Sequence, residues 1–315
     1  MEIFMTDKRD LFYFEWVVVD NCNFNCNYCV NSGVFSHKSR DEMLYVAGLE
    51  IAIANKILEF SRLTHRVMVN LTGGEPLLSD HFVEMLSILA KADNISVQLI
   101  TNQKRLEAIA DDILRVFPAL SISGSLHVRF RTDREIDDLI AFLNAYKDRL
   151  HISLSQVNHD LTPDDMNKIE RIKNLTGMEI AYYAFIPPYT GAGKVENAQK
   201  IRDATFVPAL GKRCCLGYSH FFVSPDGTFY FDQWCNLRTR KKGDFLKVES
   251  SNFREFILED MKKCPQTSCG CNYNVFNYPD YLAACRRLGY PEEEVFGPSH
   301  LRPRTVERGE ENQPG

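Results

Sequence analysis

Asp20-Asn21-Cys22-Asn23-Phe24-Asn25-Cys26-Asn27-Tyr28-Cys29 follows directly on the apolar run Phe14-Glu15-Trp16-Val17-Val18-Val19. The run reads as a buried strand, so the cysteines of a C-x-x-x-C-x-x-C pattern fall on a loop at its C-terminal end. That is the end at which barrel enzymes keep their chemistry. Thiolates this close together can converge on one iron-sulfur cluster, and three of them leave one iron open to a ligand that is not protein. The plain alternatives are a zinc loop or cysteines that are merely buried.

A second signal lies about forty residues on. Val67, Val69 and Leu71 alternate through a strand over residues 66–71, which runs into Thr72-Gly73-Gly74-Glu75-Pro76 before a helix predicted from Ser79. Paired glycines let a ligand or another backbone approach closely. Taken together these residues resemble the radical SAM superfamily, whose defining motif is the triplet as it stands at Cys22, Cys26 and Cys29, with an aromatic (Tyr28) before the third cysteine. Members of that family are similar again in carrying a GGEP-like stretch, matched here by Gly73, Gly74, Glu75 and Pro76. The resemblance covers residues 12–190. It implies that Cys22, Cys26 and Cys29 hold a 4Fe-4S cluster and that S-adenosylmethionine (SAM) chelates its open iron. It also implies that Gly73, Gly74 and Glu75 lie near the SAM amino group and Tyr28 near its adenine.

The chain then alternates. A helix is predicted over 42–60 with Asp41 as cap, and another over 81–91. Strand 95–100 ends in Thr101-Asn102, and helix 105–117 stops at Pro118. Strand 120–127, helix 133–146, strand 151–157, a helix begun by Thr162 or Pro163 and ended near Gly177, and strand 179–186 complete six repeats. Such a series predicts a parallel sheet curved into a partial barrel with helices outside, and the resembling family is an open (β/α)6 barrel. Polar residues at the strand ends, Thr101, Asn102, Ser123, Ser125, His127, Ser155, Gln156 and Asn158, are candidates to line the cleft. Asn102 and Ser155 come first because polar residues at those strand ends resemble family SAM contacts. His127 could hold substrate or move a proton, or be satisfied by neighbouring backbone. Tyr189-Thr190-Gly191-Ala192-Gly193 reads as a Gly-rich turn and lacks the lysine of a phosphate loop.

The last third differs in texture. After Cys29 no cysteine occurs until Cys214, and Cys215, Cys235, Cys264, Cys269, Cys271 and Cys285 follow, which implies two metal sites. Residues 220–223 and 228–231 flank Ser224-Pro225-Asp226-Gly227 and read as a hairpin. A helix over 252–261 leads to the Cys264–Cys271 knot. The layout is similar to the SPASM or twitch extension of radical SAM enzymes. That likeness implies an auxiliary four-iron cluster on Cys214, Cys235, Cys269 and Cys271, with Cys264 as a substitute. The match departs from the commonest form, which has a cysteine five residues after the hairpin glycine. Here that residue is Asp232, and Cys235 comes three later. Four thiolates also suit structural zinc. Domains are expected at 1–200 (barrel), 201–295 (cysteine-rich hairpin-plus-helix extension) and 296–315 (tail).

At 315 residues with 44% hydrophobic content the chain is long enough for a sizeable core. A net charge of −5 and pI near 5.9 give no basic field for nucleic acid. No apolar run spans a bilayer, and the first residues lack a signal-peptide layout. Ten cysteines without an export signal fit metal chemistry in the cytoplasm rather than disulfides. The expectation is a radical SAM enzyme, with oxidoreductase or epimerase outcomes, that takes hydrogen from a small molecule or carbohydrate. Flavodoxin or ferredoxin would be the electron donor; Arg238-Thr239-Arg240-Lys241-Lys242 is a solvated turn or a docking patch for it. A peptide maturase and a non-catalytic metal-binding or electron-transfer module are the alternatives.

Overall fold

The computed structural model describes residues 9–29, 45–184, 207–208, 220–230, 241–249 and 268–269. Five helices alternate with six strands: β1 (Arg9–Val19), α1 (Leu49–Ser61), β2 (Thr64–Gly73), α2 (Phe82–Leu89), β3 (Ile95–Thr101), α3 (Leu106–Val116), β4 (Ser121–Ser125), α4 (Asp133–Tyr146), β5 (His151–Asn158), α5 (Pro163–Thr176) and β6 (Ile180–Ala184). Short strands β7 (Val207–Pro208), β8 (His220–Val223), β9 (Thr228–Tyr230), β10 (Lys241–Asp244) and β11 (Ser268–Cys269) follow. The main sheet runs β10-β9-β8-β1-β2-β3-β4-β5-β6, and β11 pairs with β7 in a second sheet. Strands β8 and β1 through β6 are mutually parallel, the α/β arrangement of an open partial barrel.

Alternation along the strands sorts their two faces. One in-register row, Trp16, Leu71, Leu99, Ile122 and Ile152, is apolar throughout, and its first four members are fully buried. On this face Phe14 meets Phe60 of α1, with ring centroids 6.4 Å apart. The opposite face carries the row Glu15, Asn70, Gln98, Ser121 and His151. Barrel interiors are usually filled by branched apolar side chains; this one is polar. Glu15 and Asn70 are buried, and Asn70 Oδ1 has no hydrogen-bond partner among the described residues.

The hairpin expected at 220–231 forms, but it is built into the main sheet. Strand β8 lies parallel to β1 with Phe14 opposite Phe221 and Trp16 opposite Val223. The Phe221 ring sits 5.2 Å from Phe14 and 5.5 Å from Phe12. Burying each such side chain contributes about 1.5–3 kcal/mol, so the last third of the chain helps to hold the barrel. The turn is fixed by Asp226, which accepts from the Thr228 N–H and hydroxyl at 2.9 Å each, and by Gly227 at φ 72°.

Helix α1 begins later than predicted. Gly48 has φ 86° and the Tyr45 N–H is held by Asp20 Oδ1 at 3.3 Å, so the chain turns here before Leu49. The proposed cap Asp41, the Gly-rich turn at 189–193, the helix at 252–261, Arg238–Arg240 and the tail at 296–315 lie outside the described residues. Helix α5 starts at Pro163 behind a Thr162–Asp165 capping box and stops at Gly177, φ 69°.

Helix α4 has the matching box, Thr132 with Glu135. The Lys104 ammonium, 2.8 Å away, and the Thr132 N–H hold the Glu135 carboxyl down to about 2. A depressed carboxylate contributes stability above its unfolded pKa of 4.5 and loses it as pH falls through the folded value. In urea titrations the protein should therefore be more stable than Glu135→Gln by about 1 kcal/mol at neutral pH. That gap should close between pH 4.5 and about 2.

Candidate active site

Strand β1 enters the cysteine loop through a bulge. Val17 faces Thr72 and Val19 faces Gly73, so Val18 is one extra residue that re-aims the strand end. Beyond it the side chains alternate: Asn21, Asn23, Asn25 and Asn27 are exposed, while Phe24, Cys26 and Tyr28 are buried. Asn21 Oδ1 accepts the Cys22 N–H at 2.9 Å, and the Cys29 N–H closes a turn on the Cys26 carbonyl at 3.0 Å.

The end of β2 lies directly against this loop. The Gly74 N–H donates to the Val19 carbonyl at 3.0 Å, and the Glu75 N–H to the Asn21 carbonyl at 2.8 Å. A Cβ on Gly74 would stand 2.0 Å from the Asn21 oxygen, and one on Gly73, at φ 137°, 2.3 Å from the Val19 oxygen. Only glycine fits either place. The glycine pair is thus needed for backbone contact with the cysteine loop itself.

Glu75 is fully buried, and both its oxygens are engaged. Oε1 accepts from the Thr101 hydroxyl at 2.7 Å and the Leu77 N–H at 3.1 Å, and Oε2 from the Asn102 N–H at 2.7 Å. Burial pushes its carboxyl up, against the pull of those donors and of Arg131. Buried Arg131 donates through Nη2 to the Asn102 carbonyl and through Nε to the Leu126 carbonyl at 2.7 Å. Asn102 is therefore clamped at both backbone groups. Its amide nitrogen reaches Asn23 Oδ1 at 2.6 Å and Cys22 Sγ at 3.8 Å. The sequence flagged Glu75 and Asn102 separately; the structure joins them, and adds Asn23 and Arg131, for which an isolated Asn and Arg in loops gave no signal.

Ser155, one strand further, is buried, and its carbonyl accepts the Leu126 N–H at 2.8 Å. That bond supports the turn leading to His127. The Tyr28 ring packs among His127 (5.8 Å, 27°), Phe130 (5.8 Å, 63°) and His159 (6.0 Å, 77°). Burial and nearby Arg131 lower the His127 pKa to about 4. Of the later candidates, Cys269 lies in β11, whose backbone pairs it with Val207. Cys214, Cys215, Cys235, Cys264, Cys271 and Cys285 fall outside the described residues.

Among the described residues no three ligating side chains stand together as a ready metal site, but the loop's thiols have the chemistry that an iron-sulfur group takes. Cys22 and Cys26 carry free thiols, and burial followed by the charges of Cys29 and Cys22 pushes the Cys26 thiol up to about 12. Three such thiols close enough to disfavour one another's ionisation need a cationic centre to be held as thiolates together. Donors already stand at the Cys22 sulfur, from the Phe24 N–H at 3.4 Å and the Asn102 amide. The fold is an α/β partial barrel with three cysteines on the loop after its first strand. Residues 16–127 of the 315 match the family model for the radical SAM superfamily. Its members use a 4Fe-4S cluster with SAM, and require a reductant and a substrate.

Among curated proteins, the chain is 32% identical over 100 residues to a GTP 3',8-cyclase of Actinobacillus succinogenes, covering 31% of this chain and 28% of that protein. It is 36% identical over 81 residues to a 7-carboxy-7-deazaguanine synthase of Clostridium acetobutylicum, covering 26% and 33%. These matches span a third or less of either relative's length. Among solved structures, anSMEcpe with bound AdoMet superposes with TM-score 0.55 at 15% identity over 79% of this chain and 80% of that one. A second anSMEcpe structure, with AdoMet and the Cp18Cys peptide, gives 0.53 at 14% over the same shares. The likeness is one of fold. Among the described residues no helix is long and apolar enough to cross a membrane.

Proposed function

We propose that the chain is a cytoplasmic radical SAM enzyme acting on a polar small molecule such as a carbohydrate. The observation that carries this reading is the docking of Gly74 and Glu75 onto the cysteine loop through the Val19 and Asn21 carbonyls. It couples a thiolate loop to a backbone cradle, which a bare metal-binding module has no need to build. Cys22, Cys26 and Cys29 would hold the cluster and leave one iron for SAM. When bound and reduced, the cluster supplies the electron that splits the sulfonium bond of SAM, giving methionine and a 5'-deoxyadenosyl radical that takes hydrogen from the substrate.

The protein's own work is positioning and exclusion. Gly73 and Gly74 present backbone at the edge of the cluster loop, where the SAM amino group would lie, and Glu75 acts by fixing Asn102 rather than by touching SAM with its carboxylate. Asn102, Ser155 and Tyr28 would face the rest of SAM. The polar inner row Glu15, Asn70 and Gln98 supports a substrate rich in hydroxyl or amine groups, since a buried unpartnered amide oxygen such as that of Asn70 costs about 1–3 kcal/mol unless something bonds to it. Flavodoxin or ferredoxin would deliver the electron. Cys214, Cys235, Cys269 and Cys271, with Cys264 as a substitute, would form a second four-iron site. The pairing of β11 with β7 supports an ordered backbone at Cys269.

Anaerobically reconstituted protein given SAM and dithionite should release 5'-deoxyadenosine and methionine in equal amounts. Four-iron protein that never does so is a metal-binding module instead.

A further inference from the structure

Among the described residues the Cys22 sulfur meets two N–H donors, and each is held in place from elsewhere. The Phe24 N–H reaches it at 3.4 Å and the Asn102 amide nitrogen at 3.8 Å. Phe24 is buried, and its ring has the Arg131 guanidinium at 5.3 Å and the Lys104 ammonium at 5.5 Å. Asn102 is buried as well. Glu75 Oε2 takes its N–H at 2.7 Å, and Arg131 Nη2 donates to its carbonyl.

Counting hydrogens shows what the Asn102 side chain has to give. One amide hydrogen goes to Asn23 Oδ1 at 2.6 Å, the other is left for Cys22, and Oδ1 accepts the Lys104 N–H at 3.1 Å. The free Cys22 thiol donates to Asn23 Oδ1 at 4.0 Å, but a ligating thiolate has lost that hydrogen and only accepts. Asn102 therefore spends both its N–H groups on the cysteine loop and keeps one Oδ1 lone pair for SAM.

Resting on the reading that Cys22, Cys26 and Cys29 hold the cluster, we propose that the Asn102 amide donates to the Cys22 sulfur and so raises the cluster's reduction potential. Hydrogen bonds to a ligand sulfur draw off electron density and favour the reduced form. Asn102 is a positioning residue that acts through Cys22, oriented in turn by Asn23, and this role is exercised before SAM arrives.

The test is the midpoint potential of reconstituted full-length protein without SAM, followed on the reduced-cluster EPR signal that Cys22→Ala abolishes. Asn102→Ala removes the donor, and Asn23→Ala removes the acceptor that orients it; neither changes charge. Asn23→Gln keeps an amide oxygen at that exposed position. Asn102→Ala should lower the potential, Asn23→Ala should lower it less, and Asn23→Gln should stay near the parent. The double alanine variant should fall no further than Asn102→Ala alone. If Asn102 were a SAM contact and nothing more, Asn102→Ala would keep the parent potential in the absence of SAM, and that result overturns the proposal. Full additivity in the double variant overturns it too. Should Asn102→Ala take up no iron, Asn23→Ala decides: the parent potential in that variant overturns the proposal. Failure of the parent protein to bind a cluster at all would instead remove the proposed function beneath it.

Discussion

Alanine at any one of Cys22, Cys26 or Cys29 is expected to abolish release of 5'-deoxyadenosine. Two thiolates cannot fix a four-iron group on a loop whose remaining polar side chains are the neutral amides of Asn21, Asn23, Asn25 and Asn27, and thiolate ligation is the main interaction such a group makes with protein. Iron and sulfide should fall by one cluster's worth, leaving the share held by the late cysteines. The fold should persist, because Phe12, Phe14 and Trp16 are packed independently of the loop that follows. A spectrum of the triple-alanine variant, reconstituted with iron and sulfide, reads both points. A remaining four-iron signal supports a second cluster on Cys214, Cys235, Cys269 and Cys271, whereas tightly bound zinc without iron makes that site a structural staple. Iron that falls to zero, or does not fall, sinks the division between two sites.

Replacing Glu75 with alanine should be the most damaging single change outside the cysteines. It strands the N–H groups of Leu77 and Asn102 and the Thr101 hydroxyl, and removes one of the two carboxylates near buried Arg131, leaving Glu135. Breaking a buried charged network by removing one member costs about 3–5 kcal/mol, which for a chain of this size lowers Tm by roughly 10 °C. Glu75→Gln should be intermediate, since one of the two oxygens survives and the new NH2 faces donors. If Glu75 served SAM directly and nothing else, both variants would melt with the unchanged protein and differ only in SAM affinity. Thermal melts of the three proteins without SAM therefore separate a structural clamp from a ligand contact.

Much of this was legible in the chain because it depends on local pattern. Val67, Val69 and Leu71 on one face specify a strand, the Thr162-Pro163 and Gly177 signals bracket a helix, and thiol spacing marks the loop. What stayed hidden depends on pairing across distance. Nothing near His127 says that its ring will meet Tyr28, and nothing in Arg131 says that it will hold the Asn102 carbonyl. The hairpin at 220–230 was visible as a hairpin, but its neighbour was not: β1 has a free edge in a six-strand barrel, and only the folded sheet tells which later strand covers it. The start of α1 was missed for a related reason, since the tie from Tyr45 to Asp20 is made in space. The polar inner row also escaped notice, because each member looks like an ordinary interruption until register aligns them.

The pairing of β8 with β1 sets an order of events in the cell. Phe221 follows Phe14 by about 200 residues, which at ribosomal rates of 5–20 residues per second is a wait of roughly 10–40 s. Throughout that interval the nascent first strand, the most aromatic in the sheet, has one backbone edge without its neighbour, and such edges template aggregation. The cysteine loop hangs from the end of that same strand. The loop is seated on a finished sheet only after the last third has left the ribosome, so under the proposed function cluster loading would belong to the completed chain, and truncated synthesis should yield insoluble protein rather than an empty but folded barrel.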